Sequence, residues 1–230
     1  MDIKHFYMEK GEGEPLILLH GNGESSDYFV HQLDGLSDGY RVIAPDTRGH
    51  GRTPRGEGPF TIRRFADDLN AFMDDIGVEK AHILGFSDGG NTALCFALRY
   101  PHRVMSLILC GANLFPRGVK TSVQLPIEAG YRIAKLFAGK SEKARLNAEM
   151  LGLMVNDPFI GPEELSRITA KTLVIAGTRD MIKEKHTRLI ASSIPGAGLK
   201  IIPGDHFVAN KNPAAFNCAV REFLRHSQTC

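Results

Sequence analysis

One serine in this chain lies in a pattern that suits a catalytic nucleophile. Residues 85–89 read Gly-Phe-Ser-Asp-Gly, with a short apolar run before them and a helix-like run, 91–100, after them. A serine between a strand and a helix requires a sharp turn, and glycines two positions away on either side remove the side chains that would collide. The turn holds the Ser87 hydroxyl at the end of a sheet, where a base can reach it. We therefore predict that Ser87 is a nucleophile, provided that the chain also supplies a base, an acid and oxyanion donors.

A serine hydroxyl is a weak nucleophile at neutral pH, so it needs a base in contact and a carboxylate that orients the base. His206 and Asp180 each follow a predicted strand, at the same sheet edge as Ser87. Their order along the chain, serine, aspartate and then histidine, is the order expected on an α/β sheet. Asp205 and Asp46 compete for the role of the acid. Asp205 adjoins His206, and sequence neighbours point apart, whereas Asp46 lies early in the chain, so we predict Asp180.

Two backbone N–H groups are predicted to stabilise the oxyanion that forms during acyl transfer. One belongs to Asp88, directly after the nucleophile, and the other to Asn22, in the glycine-rich loop after an early strand. Gly21 and Gly23 flank Asn22, which suits a backbone that must approach the substrate closely. His20 and other polar residues of such loops are expected to support the loops rather than to act as bases.

The side chain of Asp88 allows two interpretations. It could determine substrate specificity by binding a cationic substituent, such as the α-amino group of an amino-acid ester. It could instead cap the helix that follows, because acidic side chains suit helix N-termini. A carboxylate beside an oxyanion site is electrostatically unwelcome there. Of the two interpretations, we favour the helix cap.

The elements that position these residues alternate between strands and helices. Alternation of this kind predicts an α/β fold with a mostly parallel, doubly wound central sheet flanked by helices. The predicted strands are 5–9, 16–19, 40–44, 80–86, 104–110, 172–177 and 199–202. The alternation breaks between 113 and 161, where two helices, 121–138 and 141–155, are predicted. The basic residues of that segment are expected to form a solvated outer face; they are Arg132, Lys135, Lys140, Lys143 and Arg145.

Composition excludes several classes of protein. The chain has 230 residues, of which 43% are hydrophobic and 23% charged, as in a packed globular domain. Its net charge of +2 is too small to indicate a nucleic-acid partner or a membrane surface. Its start lacks the apolar region of a signal peptide, and no apolar run is long enough to be inserted in a membrane. Four scattered cysteines without a C-x-x-C pair predict neither a disulfide scaffold nor a zinc site, so we expect a cytoplasmic protein.

Taken together, these motifs resemble those of the α/β-hydrolase family over nearly the whole chain. Within the family, the chain resembles small serine esterases and a valacyclovir hydrolase-like branch, which has a Ser-Asp-Gly-Gly turn at the nucleophile. The resemblance implies a core formed by 1–112 and 161–230, with 113–160 as a small helical cap over the active site. The matching motifs are His20-Gly21-Asn22-Gly23, Asp46-x-Arg48-Gly49-His50-Gly51, Gly85-x-Ser87-x-Gly89, Gly177-x-x-Asp180 and Gly204-x-His206.

The predicted reaction is hydrolysis of a small carboxylic ester, or a related acyl substrate, through an acyl-enzyme intermediate. It requires no metal and no organic cofactor. A nucleophilic serine disfavours the dehalogenase and epoxide hydrolase branches of the family, which use an aspartate. Carbon–carbon bond hydrolysis and perhydrolysis remain open as alternatives, as does a ligand-binding protein with vestigial hydrolysis. The expected partner is a small acyl substrate, and the sequence leaves the oligomeric state open, a homodimer included.

Overall fold

The computed structural model describes residues 2–225, and its centre is one seven-stranded sheet. The strands lie side by side in the order β1-β3-β2-β4-β5-β6-β7, with β1 antiparallel to β3 and the other pairs parallel. This order confirms the predicted α/β fold class. The strands are β1 (Tyr7–Lys10), β2 (Glu14–Leu19), β3 (Tyr40–Pro45), β4 (Ala81–Phe86), β5 (Val104–Cys110), β6 (Lys171–Arg179) and β7 (Gly198–Asp205).

Eight α-helices in the described part of the chain connect or follow these strands. They are α1 (Val30–Leu36), α2 (Ile62–Asp75), α3 (Asp88–Arg99), α4 (Thr121–Phe137), α5 (Glu142–Asn156), α6 (Glu184–Ser193), α7 (Val208–Lys211) and α8 (Pro213–Arg225). None of the helices within residues 2–225 combines the length and the apolar character that crossing a bilayer demands.

The sheet separates two hydrophobic cores because successive side chains of a strand point to opposite faces. In β2, Ile17 and Leu19 pack on the face that α2, α3 and α6 cover. Leu16 and Leu18 pack on the other face, which α1, α7 and α8 cover. All four side chains are almost completely buried. A strand covered on both faces explains why the sequence of β2 is an unbroken apolar run.

Several element boundaries differ from the predicted ones. Strand β6 runs to Arg179 and β7 runs to Asp205, so both are longer at their carboxyl ends than predicted. Asp180 and His206 therefore follow their strands directly. The short helix α7 was not predicted. Helix α2 is capped by Thr61, whose side chain accepts a hydrogen bond from the backbone N–H of Arg64.

Helices α4 and α5 lie between β5 and β6 and pack against each other as a helical hairpin. The Ser141 side chain caps α5 by accepting a hydrogen bond from Ala144 N. Gln124 Nε2 donates to the Met154 carbonyl at 3.2 Å, which ties the two helices together. This segment, called the hairpin below, interrupts the βα alternation where the sequence predicts the interruption.

A buried arginine anchors the loop after β3 to the start of the described chain. The side chain of Arg48 is fully buried, and its guanidinium contacts Asp68 at 2.6 Å and Asp2 at 2.7 Å. A buried, bidentate ion pair of this type is strong only when both charged groups also make their remaining hydrogen bonds. Arg48 therefore supports the loop, as expected for a polar residue of that motif.

Candidate active site

The turn that carries Ser87 is strained in the way the sequence predicts. Ser87 has φ of 53°, and it is the one residue other than glycine with a positive φ in the described chain. A Cβ atom at Gly85 would collide with the backbone of Gly89, and one at Gly89 would collide with the Leu19 carbonyl. Both positions therefore require glycine, and their close packing holds Ser87 in a conformation that would otherwise be unfavourable.

His206 lies between Ser87 and Asp180 and is within hydrogen-bonding distance of both. His206 Nε2 lies 3.0 Å from Ser87 Oγ, and His206 Nδ1 lies 2.7 Å from Asp180 Oδ1. A neutral imidazole that donates from Nδ1 to the carboxylate accepts at Nε2 from the serine hydroxyl. The structure thus brings together three residues that are up to 119 positions apart, in the geometry that general-base activation of a serine requires.

The carboxylate of Asp180 is ionised at neutral pH despite its burial. Burial alone raises the pKa of Asp180, but the hydrogen bond from His206 and two backbone N–H groups outweigh it, so the pKa falls below its usual value. The backbone donors are Ile182 N at 2.9 Å and Gly177 N at 3.3 Å. Asp180 therefore presents a fixed negative charge to the imidazole.

The two competing carboxylates are engaged elsewhere. Asp205 accepts a hydrogen bond from the backbone N–H of Phe207 and forms an ion pair with Lys211. Asp46 accepts hydrogen bonds from the backbone N–H groups of Ser26 and Arg52, both at 2.7 Å. Asp46 thus joins the loops after β2 and β3.

The imidazole of His206 is held by groups that the sequence analysis did not identify. Gly111, at the end of β5, has φ of 63°, and a Cβ atom there would lie 2.7 Å from His206 Cε1. The ring of Phe86 packs against the imidazole with centroids 4.9 Å apart, and Tyr28 stacks on Phe86 at 4.5 Å. The sequence offered one signal, a glycine directly after a predicted strand, because glycine is favoured where the backbone adopts a positive φ or another group approaches closely.

The loop that contains Asn22 is closed by a reciprocal pair of hydrogen bonds. Glu24 N donates to the Gly21 carbonyl at 3.3 Å, and Gly21 N donates to the Glu24 carboxylate at 3.1 Å. Burial raises the pKa of Glu24 to about 7, against the opposing effect of that hydrogen bond and of nearby His206. Glu24 therefore holds the turn from a site close to the imidazole, a role that sequence reasoning missed.

Asn22 and Asp88 meet through their side chains. Asn22 Nδ2 donates to Asp88 Oδ2 at 3.0 Å and to the Met150 carbonyl of α5 at 2.7 Å. These contacts bring the loop after β2, the start of α3 and the hairpin to one point. As the first residue of α3, Asp88 also has a backbone N–H without an acceptor inside the helix. The two predicted oxyanion donors thus belong to adjoining segments.

The carboxylate of Asp88 is bonded to side-chain amides on both of its oxygens. Asn91 Nδ2 donates to Asp88 Oδ1 at 3.0 Å, opposite the bond from Asn22. Asn91 in turn exchanges two hydrogen bonds with Asn113, after β5. Burial raises the pKa of Asp88 to about 6, although both amide donors oppose the shift. Asp88 is thus an acidic residue in the first turn of α3, and its carboxylate is bonded to side-chain amides. The choice between a helix cap and a substrate contact stays a prediction.

His20 stabilises the loop that contains Asn22 by hydrogen-bonding both to that loop and to the loop after β3. Thr47 N donates to His20 Nε2 at 3.0 Å, so Nε2 is an acceptor and Nδ1 carries the proton that is donated to the Gly21 carbonyl. Burial, together with neighbouring His50, lowers the pKa of His20 to about 4, so the ring is neutral at pH 7. This arrangement agrees with the expected loop-bracing role.

Two sizeable cavities lie beside the segment that returns from the hairpin to the core. One of about 650 Å³ is lined by Phe115, Glu128, Val155 and Pro162, among others. Another of about 460 Å³ is lined by residues of α2 and α3 and shares Phe159 and Ile160 with the first. Neither is lined by a triad residue. Within residues 2–225, no group of three or more His, Cys, Asp or Glu side chains is arranged to hold a metal ion.

Comparison with known proteins agrees with this architecture. Residues 14–150, more than half of the chain, match the family described as alpha/beta hydrolase fold. The chain belongs to the α/β-hydrolase family. The finer resemblance to the valacyclovir hydrolase-like branch stays a prediction.

Relatives that cover nearly the whole α/β-hydrolase chain are named as hydrolases. A protein of Caulobacter sp. (strain K31) named as a carbamate hydrolase, RutD, is 31% identical, over 92% of this chain and 90% of its own. A 2-hydroxy-6-oxo-6-phenylhexa-2,4-dienoate hydrolase of Burkholderia cepacia is 29% identical, over 94% and 89%. The solved structure of a thermophilic esterase from Thermogutta terrifontis is 27% identical, with a TM-score of 0.83 over 99% of this chain and 95% of that one. These likenesses support hydrolase activity.

Proposed function

We propose that the protein is a serine hydrolase that cleaves a small carboxylic ester, or a related acyl substrate, through an acyl-enzyme intermediate. The observation that carries this proposal is the continuous contact from Asp180 through His206 to Ser87, at 2.7 and 3.0 Å. A strained nucleophile turn next to an oriented base is the arrangement that activates a serine hydroxyl.

In the proposed mechanism, His206 Nε2 takes the proton of the Ser87 hydroxyl as Oγ attacks the substrate carbonyl. The backbone N–H groups of Asn22 and Asp88 donate to the oxyanion, and Asp180 stabilises the imidazolium. His206 then returns the proton to the leaving group, which departs and leaves an ester on Ser87. Water, deprotonated by His206, attacks that ester and releases the acid and the free serine.

We also propose that residues 113–160 act as a small cap over this site. The support is the 2.7 Å hydrogen bond from Asn22 Nδ2 to the Met150 carbonyl, because it joins α5 directly to the oxyanion loop. Both oxygens of Asp88 are already bonded to amides, so an ammonium substituent of a substrate would have to displace or share those donors. The expected cytoplasmic location and small-molecule partner belong to the same proposal.

The test is turnover of p-nitrophenyl acetate by the wild type and by Ser87→Ala, with Ser192→Ala as the matched control. We expect the Ser87 variant to lose at least about a thousandfold in kcat/KM, because removal of a triad member eliminates covalent catalysis. Ser192 lies in α6 and bonds to the Leu189 carbonyl, and its variant should retain full activity. Full activity of Ser87→Ala would overturn the proposal, as would failure of a sulfonyl fluoride to label Ser87.

Carbon–carbon bond hydrolysis is the second candidate. It is favoured by the near full-length similarity to the hydrolase of Burkholderia cepacia, whose name specifies a dienoate substrate. A panel of p-nitrophenyl esters of increasing acyl length, run beside a 2-hydroxy-6-oxodienoate, separates the two. A kcat/KM for the dienoate well above that of every ester would replace the esterase proposal with this one. The same panel, repeated with hydrogen peroxide, identifies perhydrolysis by rates that depend on peroxide. Negligible rates with every substrate would indicate a ligand-binding protein with vestigial turnover.

A further inference from the structure

The end of the hairpin exposes large apolar side chains that nothing in the described chain covers. On α4, Ile133 is 59% exposed, Leu136 is 79% exposed and Phe137 is 46% exposed. They lie on the outer side of α4, close to the turn into α5, while Gln124 faces inward against α5. We call residues 132–145 the hairpin tip. Exposed apolar side chains at a protruding turn mark a docking surface more often than isolated surface residues do.

Cationic side chains surround these apolar residues. The hairpin tip contains five Lys and Arg side chains and one acid, Glu142, which gives it a net charge of +4. The whole chain carries only +2, so the remainder is slightly acidic and the positive charge is concentrated at this one place. The five cations are exposed, and none of them forms an ion pair with a carboxylate among residues 2–225; they are Arg132, Lys135, Lys140, Lys143 and Arg145.

The cations are arranged to suit a binding partner that has an apolar interior beneath a negatively charged outer layer. Lys140 Nζ lies 4.4 Å from the centre of the Phe137 ring, so its ammonium group stays beside the apolar side chain. Long basic side chains can extend along such a boundary, with their charge at the polar level and their stem in the apolar one. An interfacial helix buries its apolar face about 5–10 Å into the headgroup region and places its basic residues among the lipid phosphates.

A second copy of this chain fits the hairpin tip poorly. A stable dimer buries about 800 Å² per partner through some 20–30 residues, whereas the tip offers three large apolar side chains. Joining two tips would also bring two groups of five cations together, and like charges across an interface repel. An anionic lipid surface satisfies both the apolar and the cationic parts of the tip.

We propose that the hairpin tip docks on the surface of an anionic lipid bilayer, with Ile133, Leu136 and Phe137 entering the headgroup region and the surrounding cations contacting lipid phosphates. The interaction is peripheral and no helix crosses the bilayer. It requires apolar contact and charge together, because a single weak anchor gives only marginal membrane binding.

The experiment measures sedimentation of the full chain with vesicles of phosphatidylcholine alone and with vesicles that also contain phosphatidylserine. We expect binding to the phosphatidylserine vesicles to be at least about tenfold stronger and to weaken at high salt, because surface charges are screened. Ile133→Ser combined with Leu136→Ser should weaken binding about tenfold or more. Lys135→Gln with Lys140→Gln and Lys143→Gln should weaken it about a hundredfold, given the contribution of each cation near an anionic surface.

The control is Val30→Ser combined with Met105→Ser, which removes exposed apolar side chains from α1 and β5 and should leave binding unchanged. Thermal unfolding of each variant verifies that it is folded. Three outcomes would overturn the proposal: no binding of the wild type to phosphatidylserine vesicles, equal binding by the tip variants, or equal loss in the control. Light scattering that shows a wild-type dimer and a monomeric Ile133/Leu136 variant would instead identify the tip as an interface between copies.

Discussion

Asn22 combines two functions at the scale of a single residue. Its backbone N–H is a proposed oxyanion donor, while its side chain holds the loop against Asp88 and the Met150 carbonyl. The second function is separable from the first by mutation, because alanine keeps the backbone N–H. A positioning role of this kind affects the chemical step more than the binding of substrate, since the donor aligns with the developing charge.

For Asn22→Ala we expect kcat to fall about ten- to a hundredfold with a smaller change in KM, because a slightly misplaced donor already costs a large part of its stabilisation. Steady-state kinetics with p-nitrophenyl acetate provides the measurement. Asn70→Ala is the matched control. It removes an amide whose oxygen accepts a hydrogen bond from Arg103, and it should keep its kcat. An Asn22 variant as fast as the control would show that the side chain does not position the loop.

Burial of Asp88 makes the free energy of unfolding depend on pH, and the direction of that dependence follows from its pKa. Its pKa is raised from 3.8 to about 6, so between these values the folded protein binds more protons than the unfolded chain. The free energy of unfolding therefore decreases as pH rises through this window, and the loss is complete above the folded-state pKa. The cause is burial of the carboxylate, which disfavours its charged form.

Asp88→Asn removes the titrating carboxyl group, and with it this pH-dependent part of the free energy of unfolding. The free energy of unfolding of the variant, relative to the wild type, should therefore rise by about 2 kcal/mol between pH 4 and pH 7. Chemical denaturation at a series of pH values measures the difference. Glu24 is present in both proteins, so its own titration cancels. Parallel stability curves for the two proteins would contradict a buried, ionising Asp88.

At the scale of elements, the site depends on how β4, β5, β6 and β7 end. Parallel strands place their carboxyl ends at one edge, and Ser87, Gly111, Asp180 and His206 are each the first residue after one of them. The turn that carries Ser87, called the elbow below, also depends on close packing between backbones, because Gly89 lies against the Leu19 carbonyl of β2. The geometry of the elbow is therefore a property of three elements together.

Two glycine-to-alanine replacements test that packing. Gly89→Ala places a Cβ atom against the backbone of β2, which cannot move aside cheaply, so we expect a loss of about 3 kcal/mol in the free energy of unfolding. Gly139→Ala meets no atom within 4 Å and should change it by less than about 1 kcal/mol. Denaturant titration measures both. Equal effects would show that the elbow has room for a side chain.

At the scale of the whole molecule, the ion pairs of Arg48 connect distant parts of the chain. The guanidinium joins the loop after β3 to α2 through Asp68 and to the described N-terminus through Asp2. Removing one partner of a buried pair leaves an uncompensated charge, and that cost exceeds the loss of the contact itself. The network therefore stabilises the side of the molecule on which α2 packs.

We expect Arg48→Ala to lower the free energy of unfolding by about 3–5 kcal/mol, as is typical when a buried ion pair is broken. Arg188→Ala removes an exposed pair with Glu184 and should cost less than about 1 kcal/mol. Chemical denaturation of the two variants provides the comparison. A loss for Arg48→Ala no larger than that of the surface control would show that the buried network contributes little.

Much of the fold was accessible from local patterns. The seven strands and the interruption between β5 and β6 agree with the predictions because each depends on hydrophobic periodicity within a few residues. The ends of β6 and β7 were placed too early, since Arg179 and Asp205 pair beyond a bulge and so continue both strands, which propensity does not reveal. Helix α7, only four residues long, had too little sequence for a periodic signal.

Pattern alone was enough to select Ser87, Asp180 and His206 as the candidate triad, because the nucleophile turn and the strand ends are local features with chemical meaning. Only the folded chain decided how these groups contact one another and what surrounds them. The bonds of Asn22 to Asp88 and to Met150 span 66 and 128 positions, and the exposure of the hairpin tip depends on what does not pack against it. Such contacts arise from packing between remote elements, so no short stretch of sequence contains them.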